Sequence, residues 1–187
     1  MIPPFDHNNV LPPYVEGGNP AKPSDQSPYK SDILEFCQRF ATSSARIIIL
    51  KGFVQFRLDM IANGVRGSHQ WIDGSFIENV EVSQSRDPRD IDVASFVIIP
   101  NKAEETRLLT CFPAFANTTM AKATYYVDHY VNLLNGNPLY LIESSKYWSQ
   151  LFSHNRSGVW KGMVQLPLYA DDALDKQAMD YLNTLRV

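Results

Sequence analysis

Cysteine is scarce in this chain. The 187 residues hold only Cys37 and Cys111, too few for a disulfide scaffold. The two cysteines and the four histidines (His7, His69, His129 and His154) show no zinc-ligand spacing. Long apolar runs are also missing. The longest strictly aliphatic one is Ile47-Ile48-Ile49-Leu50, against the ~20 residues a membrane-spanning helix needs. The first residues carry no basic stretch followed by an apolar one, so no signal peptide is expected. The thiols then read as reduced, and the expectation is a soluble cytoplasmic protein with no membrane partner. There is no excess of positive charge either. Lys and Arg number 17 against 20 Asp and Glu, a formal net charge of -3, so a nucleic acid would have to be gripped by a local patch. Three phosphate, dinucleotide and acyl-transfer signatures are absent: Gly-x-x-x-x-Gly-Lys-Ser/Thr, Gly-x-Gly-x-x-Gly and Gly-x-Ser-x-Gly. This argues against a P-loop NTPase, a dinucleotide-binding oxidoreductase and an α/β-hydrolase.

What is present supports one folded domain. A 44% hydrophobic and 12% aromatic composition supplies a core at this length. Proline is uneven: seven of the twelve (Pro3, Pro4, Pro12, Pro13, Pro20, Pro23, Pro28) fall in the first 28 residues. Each fixes φ and removes a donor, so residues 1–28 read as an extended arm and residues 29–187 as the domain. Ile2, Phe5, Val10, Leu11 and Tyr14 give the arm apolar groups with which to pack.

Hydrophobic periodicity then orders the elements. Ser31 is a candidate N-cap for a helix carrying Ile33, Leu34, Phe36, Cys37 and Phe40. Ser43 or Ser44 caps a second helix ending at Asn63-Gly64. Strands are expected at about 69–73, 90–99, 124–133 and 160–169. Helices are expected at 102–110 and 139–152, with a last one opening at Asp171-Asp172. Helices first and strands alternating with helices afterwards give an α/β (α+β) fold with a small mixed sheet flanked by helices.

The chemistry concentrates in Trp71-Ile72-Asp73-Gly74-Ser75-Phe76 and Arg89-Asp90-Ile91-Asp92-Val93. Two positions apart on a strand, Asp90 and Asp92 project from one face, while Ile91 and Val93 anchor the other. Two carboxylates this close repel one another, and a hard divalent cation, Mg²⁺ or Mn²⁺, relieves the repulsion. Gly74 lets the backbone approach a phosphate, and the Ser75 amide and hydroxyl can donate to it at the start of a helix opening at Phe76. Asp128, in the middle of a β-forming stretch, becomes a third carboxylate of the site if its strand lies beside that of Asp90. Asp73 reads as a capping or turn carboxylate. His129 should point away from Asp128.

Gly-Ser, a spacer, Asp-hydrophobic-Asp-hydrophobic on a strand and a later strand Asp together resemble the DNA polymerase β-like nucleotidyltransferase superfamily. The opening Met1-Ile2-Pro3-Pro4-Phe5-Asp6 with Leu11-Pro12-Pro13 resembles a little-characterised bacterial stand-alone family within it. The resemblance implies a nucleotidyltransferase-like fold and Mg²⁺-dependent transfer of a nucleoside monophosphate from an NTP to a hydroxyl acceptor, with release of pyrophosphate. It implies that Gly74 and Ser75 bind the triphosphate. Asp90, Asp92 and Asp128 would be metal ligands, with Asp128 also helping to activate the acceptor.

Phe76-Ile77-Glu78-Asn79 follows the Gly-Ser where a basic residue is common, so Lys161 and Arg156, and then Lys122, are the candidate cations for the triphosphate. Tyr125, Tyr126, Tyr130 and Trp160 can stack a base or pack the sheet. The acceptor stays open among an RNA end, a protein hydroxyl and a small molecule, and a partner protein or a homodimer stays open with it. The alternative is a binding or regulatory module of the same fold, as in a toxin–antitoxin or phage-defence system.

Overall fold

Phe36, Phe40, Phe53 and Phe76 nucleate the interior, with ring centroids 4.8–6.1 Å apart between neighbours. They come together in a computed structural model that describes residues 1–65 and 68–186. Helix α1 (Ile33–Phe40) buries Ile33, Phe36, Cys37 and Phe40 along one stripe. Its cap is Asp32, whose carboxylate accepts the Glu35 amide at 2.8 Å; Ser31, expected in that role, donates to the Glu35 carboxylate instead. Helix α2 (Ser44–Ala62) is capped by Ser43 and stops at Asn63, with Gly64 at φ +85°. It buries residues around most of its circumference, as a central helix does.

The sheet contains β1 (Tyr29–Lys30), β2 (Ser68–Asp73), β3 (Ile91–Val97), β4 (Val127–Leu133) and β5 (Val164–Leu168), in the order β1-β5-β2-β3-β4. β2 is antiparallel to both its neighbours, while β1 with β5 and β3 with β4 are parallel, so the sheet is mixed as expected. Side chains alternate between the two faces. Gln70, Ser95 and His129 turn to the face covered by α2: Arg57 of α2 donates to Gln70 at 2.6 Å, and Phe56 meets the His129 ring at 4.8 Å. Helix α7 (Ala173–Thr184) lies behind α2, pinned by the buried Arg57–Asp175 pair at 2.6 Å. On the opposite face, helix α6 (Pro138–Leu151) sets Trp148 against β4, where its indole donates to Asn132 at 3.0 Å and meets the Tyr130 ring at a tilt, 4.8 Å between centroids.

Three expectations need correction. The strand expected from Thr124 begins only at Val127. Residues Thr118–Tyr125 form helix α5, capped by the Asn117 side chain, and Tyr126 ends it at φ +60°. A good cap and a left-handed stop override the β preference of Thr124, Tyr125 and Tyr126. The last strand is confined to Val164–Leu168; Trp160 makes only an isolated bridge to His154. Ser75–Ile77 is a single 3₁₀ turn, followed by the short helix α3 (Val80–Ser83). Helix α4 (Lys102–Cys111), capped by Asn101, lies where expected. Within residues 1–28, Ile2, Val10 and Leu11 are buried and Val10 bridges Glu78. The Leu11 carbonyl there accepts the Gly162 amide at 2.7 Å. No helix among the described residues is long and apolar enough to cross a membrane.

A buried polar chain crosses the sheet under its α2 face. Arg57 donates to Gln70 Oε1, and Gln70 Nε2 to Ser95 Oγ at 2.9 Å. Ser95 Oγ lies 2.8 Å from His129 Nε2, and His129 Nδ1 lies 2.8 Å from the Phe115 carbonyl. A carbonyl only accepts, so Nδ1 carries the proton and Nε2 accepts from Ser95. Burial pushes the His129 pKa down to about 4, against a slight rise from the Phe115 carbonyl. A folded-state pKa below the unfolded value means that the unfolded state takes up the proton first as pH falls. The stability is therefore complete above about pH 6.5 and declines toward pH 4, by roughly 3 kcal/mol for this one group. Urea denaturation between pH 7.5 and 4.5 should show that slope in the wild type and a flatter one in His129→Gln; parallel slopes would contradict the assignment.

Candidate functional site

Strand register sets three aspartates in one row. Asp73 is the partner of Asp92 across the antiparallel β2–β3 pair, and Asp92 is the partner of Asp128 across the parallel β3–β4 pair. All three lie on the face opposite the His129 network. Asp90 stands one residue ahead of β3 and joins the row through Lys122 of α5. The Lys122 ammonium is 2.5 Å from Asp90 Oδ2 and 3.3 Å from Asp128 Oδ2. Burial raises the Asp92 pKa to about 6, and the charges of Asp90 and Asp128 add to the rise. Asp128 Oδ1 is buried without a hydrogen-bond partner among the described residues, and the ion pairs found among them leave Asp92 out.

The Gly74-Ser75 turn leans directly on this row. Gly74 has φ +80°, and a Cβ there would stand 1.8 Å from Asp92 Oδ2. Only glycine brings the backbone so close to that carboxylate. Two buried cations hold the turn. Lys161 donates to the Gly74 carbonyl at 3.1 Å and to Glu78 at 2.6 Å, and it pairs with Asp73 Oδ1 at 3.1 Å without hydrogen-bond geometry. Arg46 of α2 donates to the carbonyls of Phe76 at 2.5 Å and Glu78 at 2.6 Å, and pairs with Glu81 at 2.5 Å. The turn thus needs no helix behind it to be fixed. Asp73 is not a cap: it is buried, and burial raises its pKa to about 7 against the pull of Lys161.

The donor set is chemically suited to a hard divalent cation. It is all carboxylate oxygen, Asp128 Oδ1 is buried without a hydrogen-bond partner among the described residues, and Asp90, Asp92 and Asp128 together carry more negative charge than Lys122 neutralises. The acids are not closed around a common point, and no group of three or more His, Cys, Asp or Glu among the described residues encloses a metal position as it stands. Between Asp90 and Asp128 the charge is carried by Lys122.

The sequence-derived candidates therefore separate. Gly74, Asp90, Asp92 and Asp128 are brought together. Ser75 lies in the turn itself, and its hydroxyl has no partner among the described residues. Lys161 reaches the same turn but is 2% exposed and already engaged with Asp73 and Glu78, so it is a positioning group rather than a free cation. Arg156 is exposed in the 155–159 turn and pairs with no acid of the row among the described residues. Tyr130 stands beside Asp128, its hydroxyl pKa pushed up to about 12 by burial and by that carboxylate. Sequence reasoning passed over Arg46 and Glu78 and undervalued Asp73. The available signals were an arginine at a buried helical position and an acid directly before the Gly-Ser.

No curated protein and no solved structure matches the chain. A family model matches residues 3–167, which span the acidic row, the Gly-Ser turn and Lys161. The chain belongs to that family, the family of unknown function DUF6932.

Proposed function

We propose that this chain is a metal-dependent nucleotidyltransferase that moves a nucleoside monophosphate from an NTP to a hydroxyl acceptor. The observation that carries the reading is the register that sets Asp92 beside Asp128 on adjacent strands, next to a Gly-Ser turn whose glycine touches Asp92.

In this reading Asp90, Asp92 and Asp128 would hold Mg²⁺ or Mn²⁺, which when bound would neutralise phosphate charge and ease deprotonation of the acceptor hydroxyl. The Ser75 amide and hydroxyl donate to triphosphate oxygens, and Lys161 and Arg46 keep that turn in place. Asp128 takes the proton of the acceptor hydroxyl. The acceptor oxygen forms a bond to the α-phosphorus, the bond from that phosphorus to the oxygen bridging to the β-phosphorus breaks, and pyrophosphate leaves with the electron pair.

The test is pyrophosphate release and transfer of α-labelled NTP to RNA ends, proteins or small hydroxyl compounds, with Mg²⁺ or Mn²⁺. Asp92→Asn should lower turnover by more than about 100-fold, beyond the loss expected from removing a merely supporting partner of a metal ligand. Equal turnover in the folded variant would remove Asp92 from the site. Nucleotide binding without transfer to any acceptor would favour a regulatory module.

A further inference from the structure

Lys122 differs from the other cations near the row. Lys161 and Arg46 are each 2% exposed and locked, whereas the Lys122 side chain is 49% exposed with its ammonium between two carboxylates. The helix that carries it is fixed. A Cβ at Gly52 of α2 would stand 2.3 Å from the Tyr125 carbonyl, so α2 and α5 are in close contact. Tyr125 donates to Asp59 at 2.7 Å, Thr118 donates to the His129 carbonyl at 3.0 Å, and the Tyr126 carbonyl accepts the Ile91 amide at 2.9 Å. The Lys122 backbone is thereby held beside the row, while its long, half-solvated stem can swing.

The charges around it do not balance. One ammonium faces Asp90 and Asp128, no ion pair to Asp92 is found among the described residues, and Asp128 Oδ1 is buried without a hydrogen-bond partner among them. With Asp73 paired to Lys161, the three remaining carboxylates of Asp90, Asp92 and Asp128 face the one ammonium of Lys122 and leave two negative charges, the charge of one divalent cation. A divalent ion would need the oxygens that Lys122 occupies, Asp90 Oδ2 and Asp128 Oδ2, and like charges at that separation repel strongly.

We propose that Lys122 is a resident cation of the acidic row which a divalent metal displaces on binding, so that this lysine sets the metal affinity of the site. The proposal rests on the metal-site reading above. Without metal, Lys122 holds the carboxylates together. With metal, its released ammonium stays tethered beside the row, on the solvent side, where an anionic ligand approaches.

The experiment measures Mn²⁺ binding to the full chain by electron paramagnetic resonance, with thermal melts as a second readout. Lys122→Met should bind Mn²⁺ about 10-fold more tightly than the wild type, while Lys122→Arg stays near it. Metal-free Lys122→Met should melt lower than the wild type and gain more from added Mn²⁺. Lys122→Gln, also neutral, repeats the comparison if the methionine variant does not fold. Unchanged or weaker Mn²⁺ binding in the neutral variants overturns the proposal. If the wild type and the neutral variants bind alike and Asp92→Asn does not bind, the metal site stands and the role of Lys122 falls. If no variant binds Mn²⁺, the metal site and the proposal fall together.

Discussion

Gly74→Ala should destabilise the protein by about 2–4 kcal/mol and abolish any metal or nucleotide binding at the acidic row. Two effects add. At φ +80° and ψ -171° the backbone occupies a region essentially reserved for glycine, where another residue costs about 1–3 kcal/mol. The new methyl would also lie 1.8 Å from Asp92 Oδ2 and 2.8 Å from its Cγ. Asp92 has a short side chain on β3, between Asp73 and Asp128, so it cannot clear the methyl by a small rotation of a flexible end. Either the Asp92 carboxylate leaves the row or the turn shifts away from it. Gly158→Ala is the control, because Gly158 has φ +76° and nothing within 4 Å of an added Cβ. It should show backbone strain alone, about 1–2 kcal/mol, and keep Mn²⁺ binding. Urea denaturation and Mn²⁺ titration of the two variants make the comparison. Equal losses in both, with binding retained in Gly74→Ala, would show that the contact with Asp92 does not matter.

The parts of the site that sequence could reveal are those governed by period two and by local turn chemistry. Asp92 and Asp128 lie among β-branched and aromatic residues, and alternation put their neighbours Val93 and His129 on the other face, as the strands do. Gly74 was legible because a glycine after an apolar strand marks a turn. Asp73 escaped because its importance lies in register: only the pairing of β2 with β3 brings it opposite Asp92. Lys161 was visible as a cation but not as a buried one, since its partners Glu78 and Asp73 are more than 80 residues away in sequence. Helix α5 was missed for a local reason. Thr124, Tyr125 and Tyr126 look like strand residues, and the Asn117 cap that commits the segment to helix lies seven residues before Thr124. It matters for the site's geometry, because α5 is the element that brings Lys122 to the row.

Lys161→Met should be the most destabilising single change of a charged residue at the site, by about 3–5 kcal/mol at pH 7.5. The methionine fills a similar volume, so the loss is electrostatic rather than a cavity. Glu78 and Asp73, buried at 6% and 4% exposure, would keep their desolvation and lose the one cation that pairs with them among the described residues. The Gly74 carbonyl would lose its donor, so the turn against Asp92 would loosen as well. The deficit should depend on pH in a definite direction. Even with Lys161 present, burial holds the Asp73 pKa at about 7, well above the usual carboxylate range. An acid whose folded-state pKa is raised opposes folding as it ionises, so its penalty is absent below about pH 4 and grows as pH rises toward 7. Without Lys161 the Asp73 carboxyl would hold its proton more tightly still, and lowering the pH to 5 should recover much of the lost stability as it becomes a neutral hydrogen-bonding group. Asp73→Asn in the Lys161→Met background should act in the same direction at pH 7.5, giving a smaller loss than the two single changes summed. Urea denaturation at pH 5 and 7.5 for the four proteins decides it. A deficit equal at both pH values, or additive single changes, would mean that Lys161 stabilises the fold through its packing and not through the acids that surround it.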